Sequence, residues 1–220
     1  MKNKNELYGI IGLGRFGTAL AISLAKAGKE IVVVDNSEEK INEVASYADN
    51  AFLMEKLSKE NLERIGIQNC DVVVVCIGEK IDVSILTTLS VIQLGVKRVI
   101  SKAISEEHGS VLKTLGAEVV FPERDMAVRI AKKLLAPYVL EYISLSHEVD
   151  IMEIRLSEKI EGLTVEALDL RKKYGLNIIA VKSGGVINTD ISPFTVLNAD
   201  DTLTVVGRKE NIEKFETYLS

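Results

Sequence analysis

The segment Gly12-Leu13-Gly14-Arg15-Phe16-Gly17 limits what this chain can fold into more than any other, because it joins an apolar run over 7–11 to a helical pattern over 16–27. A G-x-G-x-x-G turn between a strand and a helix is the fingerprint of a dinucleotide-binding βαβ unit. Gly12 allows the tight turn, Gly14 lets backbone approach a pyrophosphate, and Gly17 permits close helix packing. The helix N-terminus adds oriented N–H donors for phosphate. Asp35 ends the next apolar run, 18 residues after Gly17, where a carboxylate accepts from both ribose hydroxyls and repels a 2′-phosphate. Capping of the following helix is the alternative role for that residue.

The same rhythm continues beyond the turn. Strands are predicted over 7–11, 30–34, 51–53, 71–77, 98–102 and 118–121, alternating with helices over 16–27, 37–46, 59–65, 81–94 and 106–115. Ser37 and Ser58 each stand as a helix cap with an acidic residue close behind. The uninterrupted Val72-Val73-Val74-Val75 reads as a central strand buried on both faces. The expectation is an α/β fold with a Rossmann-like doubly wound parallel sheet. A long helix over 123–144, divided at Pro137, is expected to leave this domain. Strands over 149–156, 177–182 and 202–206, a helix over 165–174 and a closing helix from Asn211 then form a small α+β module. Domains are therefore expected over 1–135 and 136–220. The module is too small for a dehydrogenase substrate lobe, and so marginal a core points to a dimer at least.

Composition narrows the function. A net charge of −5 gives no reason to expect nucleic-acid binding, since only Lys132 and Lys133 form a short basic patch. The polar start over 1–6 lacks the apolar middle of a secretory signal, and no apolar run approaches the roughly 20 residues that cross a bilayer. Cys70 and Cys76 bound one strand and read as buried thiols. His108 and His147 are placed by no motif, so no catalytic set emerges. Arg15 puts a permanent cation beside the phosphates and would suit a third phosphate, as in ATP; an exposed surface role is the alternative. Glu123, after Pro122, either favours the start of the long helix or helps a divalent cation neutralise phosphate across a subunit interface.

Taken together, Ile11 to Gly17, Ile77-Gly78 with Leu86-Thr87-Thr88, Phe121-Pro122-Glu123-Arg124-Asp125-Met126 and Lys173-Tyr174-Gly175 resemble the RCK (regulator of conductance of potassium) family. Within it they are similar to cytosolic regulatory subunits of bacterial Ktr potassium transporters. The resemblance covers nearly the whole chain. It implies a non-enzymatic cytoplasmic subunit on the inner face of the cell membrane, assembled from homodimers into an octameric ring beneath a membrane ion-translocating partner. Exchange of ADP for ATP would change the ring's shape, with NAD(H) the other occupant to test. Gly12, Gly14, Arg15, Phe16, Gly17, Asp35, Asn36, Gly78 and Lys102 are then the nucleotide-binding set, and Glu123 matches an interfacial position for Mg or Ca. In the small module the resemblance implies cyclic di-AMP at a dimer interface, with Arg171, Asn177, Ile178 and Pro193 as its contacts and closure of the transporter as its effect. Met54-Glu55-Lys56-Leu57 departs from the Asp-Ala-Thr-like segment common in such chains, which leaves adenine contacts and nucleotide preference open. Two other classes stay in contention: a nicotinamide-dependent oxidoreductase and a nucleotide-binding structural partner.

Overall fold

The computed structural model describes residues 6–135 and 138–220. The chain divides into two compact units, Met1–Met126 and Ala127–Ser220. In the first, the elements run β1 (Leu7–Ile11), α1 (Arg15–Lys26), β2 (Glu30–Asp35), α2 (Glu38–Val44), β3 (Asn50–Leu53), α3 (Lys59–Arg64), β4 (Val72–Val75), α4 (Ile81–Gln93), β5 (Arg98–Lys102), α5 (Glu106–Leu115) and β6 (Glu118–Val120). The six strands make one parallel sheet in the order β3-β2-β1-β4-β5-β6. Alternate residues of the central strands enter separate cores: Ile11, Val32, Val34, Val73 and Val75 in one, Ile10, Ile31, Val33, Val72 and Val74 in the other. Burial on both faces is why the valine run carries no polar residue. Ser37, Ser58 and Ser105 cap α2, α3 and α5 by accepting the N–H of Lys40, Asn61 and His108. From β1 the chain winds outward to β2 and β3, then crosses back to β4 on the other side of β1. This reversal opens a crevice past the carboxyl ends of β1 and β4.

The division falls inside α6 (Pro122–Leu135). The helix predicted over 123–144 is shorter than expected: α6 stops at Leu135, and β7 (Val139–Ser144) follows as a strand. The expected break at Pro137 lies outside the described residues. The order continues β8 (Val149–Arg155), α7 (Val165–Leu168), α8 (Leu170–Tyr174), β9 (Asn177–Ser183), β10 (Val186–Asn188), β11 (Thr202–Arg208) and α9 (Lys209–Leu219). These strands form an antiparallel sheet, β10-β9-β11-β8-β7, so the module is α+β as expected, with two more strands than the sequence suggested. The single helix expected over 165–174 is instead two, because Asp169 takes a left-handed conformation at φ 48° between α7 and α8. Ile154, Leu203, Val205, Phe215 and Leu219 lie in one buried core, each side chain contributing about 1.5–3 kcal/mol relative to exposure.

Candidate functional site

At the crevice the sheet itself shapes the glycine turn. Gly12 donates its N–H to Val34 O (2.8 Å), Cys76 donates to Ile11 O (2.8 Å), and Gly12 has φ 99°, a conformation that glycine adopts without strain. Helix α1 starts at Arg15 with Gly14 as its N-cap and no side-chain cap, so its first-turn amides face the crevice without a side-chain competitor. Gly12, Gly14, Arg15, Phe16, Asp35, Asn36, Gly78, Lys102 and Glu123 line one cavity of about 530 Å³ there. Gly17 is not among the lining residues. It sits in the first turn of α1, where a Cβ would fall 1.9 Å from Gly12 O, so its place in the set is the close packing that forms the turn.

Asp35 is 7% exposed and does two things at once. Its Oδ2 accepts the Leu13 N–H (2.5 Å) and its Oδ1 accepts the Ser37 N–H (2.9 Å), tying the glycine turn to the start of α2. Lys40 Nζ stands 3.9 Å from Oδ1 and, with Met54 and Glu55, lines the same end of the cavity. Lys40 was not foreseen from the sequence; its position one turn into α2 behind Asp35 was the available signal. At the end of β5, Lys102 is mostly buried and donates to Glu123 Oε1 at 2.6 Å. That hydrogen bond, with Arg15 nearby, holds the Glu123 carboxyl below its ordinary value. Among the described residues no group of three or more His, Cys, Asp or Glu is placed to hold a metal ion, so a cation reading rests on Glu123 alone within one chain. Burial pushes the Cys76 thiol, which also borders the cavity, up to about 12, where it is a poor nucleophile. His108 is buried in α5 and is not among the lining residues, and His147 belongs to the other unit.

The second unit carries a groove of about 590 Å³ lined by Arg171, Asn177, Ile178 and Pro193 together. Its two sides are laced by backbone: Glu166 donates to Pro193 O (2.9 Å) and Val165 to Thr195 O (3.0 Å). Glu166, Asp169 and Ser192 also line it and carried no sequence signal. Beside it Phe194 is 76% exposed.

The TrkA-N domain model matches residues 8–123 and the TrkA-C domain model residues 151–220. The chain is 40% identical over 210 residues to Ktr system potassium uptake protein C of Bacillus subtilis (strain 168), covering 95% of each. It is 38% identical over 214 residues to Ktr system potassium uptake protein A of the same organism, covering 97% of this chain and 96% of the relative. Among solved structures, the GsuK RCK domain superposes with a TM-score of 0.53 at 21% identity, covering 98% of this chain and 47% of that one. The chain thus spans about half the length of that solved chain, and the likeness concerns the fold. Among the described residues no helix is long and apolar enough to cross a membrane.

Proposed function

Since the chain belongs to the RCK family of paired TrkA-N and TrkA-C domains that includes the Ktr potassium uptake proteins, we propose that it is the regulatory subunit of a Ktr-type potassium transporter. Its place is cytoplasmic, at the inner face of the membrane through an ion-translocating partner, as homodimers assembled into an octameric ring. ATP and ADP bind at the crevice of the first unit, and their exchange shifts the ring between two shapes. Such a shift needs a ligand with different affinity for the two states, and Arg15 is the residue best placed to sense a third phosphate. The observation that carries this reading is the convergence of the glycine turn, Asp35, Arg15 and Lys102 on one cavity. A divalent cation bound through Glu123 belongs to the same proposal, as a neutraliser of phosphate charge. Cyclic di-AMP at Arg171, Asn177, Ile178 and Pro193 is the second input and closes the transporter; a symmetric dinucleotide suits a two-fold interface, and Arg171 can meet its phosphate.

Calorimetric titration with ATP, ADP, NADH and cyclic di-AMP tests both inputs. Binding of ATP and ADP, with a different effect of each on potassium uptake through the membrane partner, is the expected result. The oxidoreductase is the second reading, favoured by the Asp35 carboxylate at the ribose end. Preferential NADH binding with hydride transfer to an acceptor would replace the gating reading by that one.

A further inference from the structure

Two charged groups that line the cavity, Lys102 and Glu123, are paired with each other. Lys102 comes from the end of β5 with only 13% of its side chain exposed, while Glu123, in the first turn of α6, is 63% exposed. Their 2.6 Å contact therefore pairs a cation fixed against the protein with an anion that is free to leave toward solvent. The loop after β4 passes beside the lysine stem: a Cβ at Gly78 would stand 3.5 Å from its Nζ and 3.6 Å from its Cε. Arg15, at the start of α1, acts on the same carboxylate and favours its charged form. The carboxylate is thus hydrogen-bonded to one of the cations that border the cavity, Lys102, and that ammonium is the group a ligand phosphate would compete for.

We propose that Glu123 is a specificity-determining residue that acts as an internal anion, holding Lys102 until a ligand phosphate displaces it. The proposal rests on the adenine-nucleotide reading of the cavity and adds to it a competition that penalises phosphate-bearing ligands and leaves a bare nucleoside indifferent. Binding of a phosphate at Lys102 breaks the pair and leaves the Glu123 carboxylate, at the start of α6, open to a divalent cation or, where metal is withheld, to solvent. Discrimination by phosphate then depends on a contact that exists only before the ligand arrives.

The test is calorimetric titration of the full-length protein with ADP and with adenosine, in EDTA so that no metal contributes. Wild type, Glu123→Gln, Lys102→Met and the double variant are compared. Glu123→Gln is expected to bind ADP roughly fivefold more tightly than wild type, the scale of a partly exposed ion pair, with adenosine affinity unchanged. In the Lys102→Met background the same substitution is expected to have no effect, because the cation under competition is gone. An unchanged or weaker ADP affinity in Glu123→Gln overturns the proposal. So does a gain that persists without Lys102, which would mark plain charge repulsion. If wild type and Glu123→Gln bind adenosine but neither binds ADP, the inference fails while the adenosine end of the cavity stands. If neither ligand binds to either protein, the nucleotide reading itself fails and the inference with it.

Discussion

Two glycines of one motif have separable roles at the residue scale. A Cβ on Gly17 would stand 1.9 Å from Gly12 O and 3.2 Å from the Cys76 Cβ, whereas a Cβ on Gly14 meets nothing within 4 Å. Gly17→Ala is therefore expected to lower stability by about 2–3 kcal/mol in urea denaturation, since backbone must move to admit the methyl group. Gly14→Val should leave the urea midpoint nearly unchanged and weaken ADP binding by about tenfold or more, because its branches project where phosphate approaches. Equal loss of stability in both variants would sink this division. Asp35→Ala is expected to cost about 1–3 kcal/mol even without ligand, as the Leu13 and Ser37 amides lose their acceptor. The glycine turn and Asp35 were legible because their signal is local: fixed spacing after a strand. Lys40 against Asp35 and Lys102 against Glu123 were not, since each pairing depends on which element ends the sheet brings together.

At the scale of elements, the first sheet was legible strand by strand, because buried parallel strands are written as unbroken β-branched runs between capped helices. The second unit was harder. β7 shares its apolar content with the preceding helical pattern, and its strand form is imposed by β8, which pairs with it from Val139↔Ile154 to Ser144↔Asp150 across a turn held by Ser146. β10 is exposed along its whole length, so hydrophobic pattern could not reveal it. Its signal was the Gly184-Gly185 pair, at φ 54° and 88°, which makes the two-residue turn of a hairpin with β9. In the first unit α5 buries His108 at 3% exposure with neither ring nitrogen hydrogen-bonded, and desolvation lowers its pKa from 6.5. Its neutral form therefore contributes stability that is fully present above about 6.5 and lost as pH falls through the lowered native value. Urea midpoints measured from pH 8 down to about 5 should decline less steeply in His108→Leu than in wild type. An identical decline would show that His108 is not the group responsible.

At the scale of the molecule, the two cavities draw their lining from different units: the first from residues up to Glu123, the second from Val165 to Pro193. No residue serves both, so variants at one should leave the other's ligand affinity intact. Arg171→Ala is expected to abolish detectable cyclic di-AMP binding at micromolar concentrations while ADP affinity stays within about twofold of wild type, because a lost bidentate phosphate contact costs several kcal/mol locally and nothing at a site with no shared side chain. Asp35→Asn should give the opposite pattern. Potassium uptake through the membrane partner then reads the coupling: Arg171→Ala should remain active when cyclic di-AMP is raised, and Asp35→Asn should lose its response to ATP while still closing with cyclic di-AMP. A coupling free energy between two sites is reciprocal, so any change that one ligand makes in the other's affinity must appear equally in both titrations. If wild type shows such mutual change and both single variants abolish it, two inputs act on one conformational equilibrium. If Arg171→Ala instead removes ADP binding, the assignment of separate ligands to separate units is wrong.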